Sequence, residues 1–212
     1  MTNLEAMSFQ GRLIIIVDFD YCGTEKRWLE TLKQLSELEP RNSFCIQVRI
    51  KGQNKSDYAA LATKAREIVN REVTTILNGD PQIASDLGYD GVHLPENHWR
   101  RLTELNENNL LVSVAAHSTE ALRILNDLRV SMVLYSPIFA PTWKSGFGKP
   151  KELEGLRKGI QDSVHPVYAL GGITESDVRK CTEVGSRGVA VLSGIVGSED
   201  VCKSAQNYLR HL

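Results

Sequence analysis

Polar and apolar residues alternate in Gln47-Val48-Arg49-Ile50-Lys51, which sets Gln47, Arg49 and Lys51 on one face of a strand. Two cations on a strand otherwise built for burial require an anion beside them or a place at an open rim. The chemistry this suits is the binding of a negatively charged ligand. In Asn78-Gly79-Asp80 the last two residues read as a turn and a helix cap, which leaves the Asn78 amide to face the same mouth. His117, in Ala115-Ala116-His117-Ser118, follows another strand, where an imidazole can move a proton near neutral pH. His93 lies within a strand and is expected to pack or orient rather than react, while His98, His165 and His211 read as surface residues.

A second kind of chemistry needs no side chain. The stretch Pro166 to Ile195 holds two short apolar runs, one ending in Gly171-Gly172 and the other in Ser193-Gly194, with a helix-like segment between them. That is the strand, helix, strand order of a parallel sheet. Glycines at neighbouring strand ends present bare backbone N–H groups, and such groups hold phosphate. Gly171, Gly172, Ser193 and Gly194 are therefore the expected phosphate site. The connection from Tyr135 to Lys149 is the longest irregular one and carries Phe139, Trp143 and Lys144, so it is expected to cover a ligand.

The elements that must position these residues repeat at roughly 26 residues, a unit length suited to a (β/α)8 TIM barrel. Strands are expected at Leu13–Asp18, Phe44–Ile50, Val73–Leu77, Gly91–Leu94, Leu110–Ala115 and Ser131–Leu134, followed by the two described above. Helices are expected at Thr24–Leu38, Lys55–Asn70, Asp80–Leu87, Trp99–Leu105, Ser118–Leu128, Thr174–Val184 and Glu199–Leu209. Residues 1–11 read as a loose tail and 12–212 as a single-domain barrel. A doubly wound sheet would need a glycine fingerprint after the first strand, where this chain has Asp18-Phe19-Asp20-Tyr21.

With 25 basic against 26 acidic residues, the chain has no electrostatic footprint for nucleic acid or an anionic membrane, and a small molecule is the expected partner. The four cysteines are scattered, without disulfide or zinc-ligand spacing, which reads as reduced thiols in a cytoplasmic protein. The apolar run Leu13–Val17 is too short to span a bilayer.

In order and spacing these pieces resemble the thiamin phosphate synthase superfamily, which holds both synthases and thiazole tautomerases. The resemblance runs through Gln47 to Lys51, Asn78, Asp90-Gly91-Val92-His93-Leu94, His117-Ser118, Ser136-Pro137-Ile138-Phe139 with Lys144, Ala169 to Ile173, and Gly188 to Ile195. It implies a (β/α)8 barrel that forms a homodimer and binds a thiazole phosphate, with Ser136 and Lys144 among the substrate contacts. A synthase joins hydroxymethylpyrimidine diphosphate to that thiazole and expels pyrophosphate, using magnesium. In synthases an aspartate directly follows the strand-three asparagine and another lies shortly after strand four; here those positions hold Gly79 and His98. Their absence, with His93-Leu94-Pro95, is closer to the tautomerase branch. The leading expectation is therefore a tautomerase without metal or other cofactor, His117 moving the proton and Arg49 and Lys51 facing a carboxylate. The alternatives are a synthase, in which Arg49 and Lys51 bind diphosphate, Asp80 stands in as metal ligand and magnesium is required, and a non-catalytic phosphate-binding barrel.

Overall fold

The computed structural model describes residues 9–105, 110–140 and 148–212. Eight parallel strands close into a barrel in sequence order: β1 (Leu13–Asp18), β2 (Phe44–Arg49), β3 (Thr75–Asn78), β4 (Gly91–Leu94), β5 (Leu111–Ala116), β6 (Met132–Tyr135), β7 (Val167–Leu170) and β8 (Gly188–Val191). Helices α1 (Phe19–Cys22), α2 (Glu25–Ser36), α3 (Lys55–Ile68), α4 (Pro81–Asp86), α5 (Thr119–Leu125), α6 (Glu152–Asp162), α7 (Glu175–Glu183), α8 (Ser193–Val196) and α9 (Val201–Arg210) connect them. The crossover after β4 is a 3-10 segment, Glu96–Leu105.

The period-two alternation of each strand divides the apolar residues into two cores. Ile14, Ile16, Cys45, Ile76, Met132, Leu134, Tyr168 and Ala190 fill the barrel interior, while Leu13, Ile15, Val17, Ile46 and Val48 pack outward against the helices. Burial on both faces is why β1 reads as an unbroken apolar run rather than an alternating one. Each of the buried Leu, Ile, Val and Met side chains contributes about 1.5–3 kcal/mol relative to exposure. Below the interior, Tyr168 donates to the Gly11 carbonyl at 2.6 Å and its ring stacks on Phe9, so the end of the expected tail closes the barrel floor.

Register carries the polar residues to the opposite end. Asp18 pairs with Arg49, Arg49 with Asn78, Asn78 with His93, and His93 with Ser113 across five successive strands. All five side chains therefore project from the inner face of the barrel, on the C-terminal side of the apolar plug.

Helix α6 goes beyond the sequence expectations, which hold no helix between the long connection and the seventh strand. Its N-terminus at Lys151 lacks a side-chain cap, and Gly155 and Gly159 interrupt its apolar pattern. Gly159 is required by packing: a Cβ there would lie 2.6 Å from the Tyr135 ring. Strand β3 also starts and ends later than its apolar run suggests, which makes Asn78 a strand residue rather than part of the turn.

Candidate active site

A cavity of about 150 Å3 opens above the apolar interior, at the C-terminal ends of the strands. Gln47, Arg49, Asn78, His93 and Ser136 line it from β2 to β6, and Gly171, Gly172, Ser193 and Gly194 line it from the ends of β7 and β8. Eight expected binding residues thus share one wall with His93, and Ile16, Leu134 and Leu170 form its apolar floor.

Two others stand elsewhere, and a third lies outside the described residues. Strand β2 ends at Arg49, so the expected alternation stops short of Lys51, which is exposed and lies outside the lining. His117 is also exposed and outside the lining: its backbone N–H donates to Glu96 Oε2 at 2.8 Å, and its Nδ1 lies 3.2 Å from the Ser136 carbonyl and 3.1 Å from the Ser136 hydroxyl. Lys144 lies outside the described residues.

The wall is more highly charged than the sequence alone shows. Arg49 Nη1 is hydrogen-bonded to the Asp18 carboxylate, whose other oxygen accepts the Tyr21 N–H at 2.8 Å and caps α1. Burial pushes the Arg49 guanidinium below its usual range, and the Asp18 carboxylate paired with it compensates the buried positive charge. His93 is fully enclosed, with Nδ1 2.8 Å from Ser113 Oγ; burial first, then the positive charges of Arg49, His117 and Lys51, lowers its pKa to about 3. It is a neutral imidazole at any physiological pH. Gln47 is 2% exposed, and its Oε1 has no hydrogen-bond partner among the described residues. An orphaned acceptor of this kind costs about 1–3 kcal/mol until a donor reaches it.

The glycine ends have a structural reason as well as a chemical one. Gly171 and Gly172 adopt φ of 98° and 64°, and a Cβ on Gly172 would lie 2.6 Å from the Ala140 carbonyl oxygen. The loop after β6 holds that approach through Ile138 N–H to Leu170 O and Phe139 N–H to Gly171 O, both 2.9 Å. On the far side, Tyr208 of α9 donates to the Ile173 carbonyl at 3.0 Å and leaves no room for a side chain at Gly194. The first-turn N–H groups of Ser193 and Gly194 have no partner within their own helix. Lys151, missed in the sequence because it follows the long loop, donates to the Ser136 carbonyl at 2.8 Å and rests over the Tyr135 ring.

Three carboxylates near the mouth are already engaged. Asp18 holds Arg49, Glu96 holds the His117 N–H, and Asp80 caps α4 while pairing with Arg101 at 3.3 Å. No cluster of three or more His, Cys, Asp or Glu side chains suited to a metal ion occurs among the described residues. The donor set does not fit a protein-held magnesium ion, and Asp80 does not supply the displaced ligand expected of it. Among the described residues, no helix is long and apolar enough to cross a membrane.

The chain is 28% identical over 202 residues to the thiamine-phosphate synthase of Vibrio campbellii, covering 93% of this chain and 96% of that one. It is 31% identical over 168 residues to that of Chloroflexus aurantiacus, covering 76% of each. Among solved structures, the thiamine phosphate pyrophosphorylase of Pyrococcus furiosus shares the fold, with a TM-score of 0.80 at 22% identity and 96% of both chains covered. These relatives carry the synthase name and overturn the tautomerase expectation. Geometry gives the physical reason: the imidazole assigned to proton transfer, His117, lies outside the cavity and against Ser136. The family model described as Thiamine monophosphate synthase matches residues 13–195, and the chain belongs to that family.

Proposed function

We propose that this protein is a thiamin phosphate synthase, joining hydroxymethylpyrimidine diphosphate to thiazole phosphate. The bond that forms runs from the thiazole nitrogen to the pyrimidine methylene carbon, and the C–O bond that breaks leaves its electron pair on pyrophosphate. The ring nitrogen attacks with a lone pair, so the step transfers no proton and needs no general base. This chemistry agrees with a cavity whose one buried imidazole, His93, is held neutral.

The observation that carries the reading is the unpartnered Gln47 Oε1 on the cavity wall. The exocyclic amino group of the pyrimidine is a donor of the kind this acceptor lacks, and pairing the two removes the cost of the orphaned oxygen. Gly171, Gly172, Ser193 and Gly194 serve the thiazole phosphate through backbone N–H groups. Arg49 faces the diphosphate, with Lys51 on the rim above, and Asn78 and Ser136 complete the polar wall.

Steady-state kinetics of Gln47→Leu test this assignment. The expected result is a fall of about 10–100-fold in kcat/KM for the pyrimidine diphosphate, with the KM for thiazole phosphate little changed. Equal losses for both substrates would contradict the assignment of Gln47 to the pyrimidine.

A further inference from the structure

The position that synthases give to an aspartate after the strand-three asparagine is Gly79 here, and more than a side chain has changed. Gly79 adopts φ of 135°, a conformation L side chains rarely enter, and a Cβ there would stand 2.8 Å from Tyr58 Oη and 3.3 Å from its Cζ. Tyr58 reaches over from α3 to fill that volume. Its hydroxyl donates to the Asn78 carbonyl at 3.0 Å and accepts the Asp80 N–H at 3.3 Å, so it ties down both ends of the turn. Burial raises the phenol to about 12, which keeps it neutral.

The next carboxylate is committed in a different way. Asp80 Oδ1 accepts the Gln82 and Ile83 N–H groups at 2.9 and 3.1 Å, and Oδ2 faces Arg101 Nη2 at 3.3 Å. A cation arriving there would have to displace a guanidinium while sharing an oxygen with the helix cap. The second position, His98, offers no anionic donor.

We infer that this chain engages its diphosphate-bearing ligand without a protein-held divalent cation: Tyr58 occupies the volume of the missing carboxylate, and Arg101 has taken the place of the ion against Asp80. The inference rests on the synthase reading for the identity of the ligand, whereas the blocked cation position stands on Tyr58, Gly79 and Asp80 alone. Tyr58 is thus a specificity-determining residue that acts through the turn rather than through the reacting atoms.

Two binding measurements on the full-length chain test this. In the first, manganese is titrated into the protein alone and free Mn2+ is followed by electron paramagnetic resonance. The expected result is no stoichiometric uptake below about 1 mM; one ion bound per chain more tightly than that overturns the inference. In the second, inorganic pyrophosphate is titrated by calorimetry in EDTA and in excess magnesium. Affinities within about threefold of each other are expected, and a gain of more than about tenfold with magnesium overturns the inference. Pyrophosphate that binds in neither buffer counts against the synthase reading, and the manganese titration then decides the cation question by itself.

Discussion

Replacing Asp18 by Asn removes the charge that backs Arg49 on the cavity wall and changes little else. The Asp18 side chain is 2% exposed and that of Arg49 18%, so the pair is largely shielded from water. Removing one partner of a buried pair costs about 3–5 kcal/mol, because the other charge is left uncompensated. Two features reduce that figure. The Arg49 side chain keeps some contact with solvent, and the Asn carbonyl still accepts the Tyr21 N–H that caps α1. We expect a loss of about 2 kcal/mol, which in a chain of this size lowers Tm by roughly 4–8 °C. Circular-dichroism melts of wild type, Asp18→Asn, Arg49→Gln and the double variant measure it, with an expected coupling above about 1 kcal/mol. Pyrophosphate should also raise the Tm of Asp18→Asn more than that of wild type, since the anion then replaces the missing carboxylate beside Arg49. Additive single losses, or an unchanged Tm for Asp18→Asn, would refute the view that Asp18 compensates the buried charge of Arg49.

Gln47→Leu should leave Tm unchanged or raise it, because an apolar side chain removes an orphaned acceptor; a fall of several degrees would show that the amide is satisfied in the free protein. His93 sets a pH dependence: its folded pKa of about 3 lies below the unfolded value near 6.5, so the unfolded chain binds the extra proton between those limits. Its contribution to stability is complete above pH about 6.5 and falls on acidification by at most about 1.4 kcal/mol per pH unit. Denaturant melts from pH 7 to 4 should therefore show a shallower decline for His93→Gln than for wild type, and parallel curves would contradict the burial argument. His117→Ala should keep kcat for the coupling reaction within about threefold of wild type, whereas a loss of about 100-fold would return His117 to the chemistry.

The barrel was legible because apolar runs, caps and glycine ends recur along the chain, and the polar wall was legible wherever period-two alternation applied. Gln47, Arg49 and Asn78 project inward for that reason. What alternation does not show is where a strand stops: Lys51 keeps the pattern but follows the last β2 residue. His117 stands after β5 as a mouth residue would, yet the Ser136 carbonyl and hydroxyl draw its ring to the rim. Asp18 and Arg49 are 31 positions apart and meet only because β1 and β2 pair in register. Tyr58 reads as a helix residue with no visible task, and its role against Gly79 depends on how α3 lies over the end of β3. Helix α6 stayed hidden because Gly159, which its packing on Tyr135 requires, weakens the local helical signal.

The central claim is that this cavity couples two rings with loss of pyrophosphate. Incubating the protein with hydroxymethylpyrimidine diphosphate and thiazole phosphate, and quantifying both products by mass spectrometry, tests it most directly. Thiamin phosphate and pyrophosphate appearing together in equal amounts, and only when both substrates are present, is the predicted result. Binding of both substrates with no coupled product would contradict it.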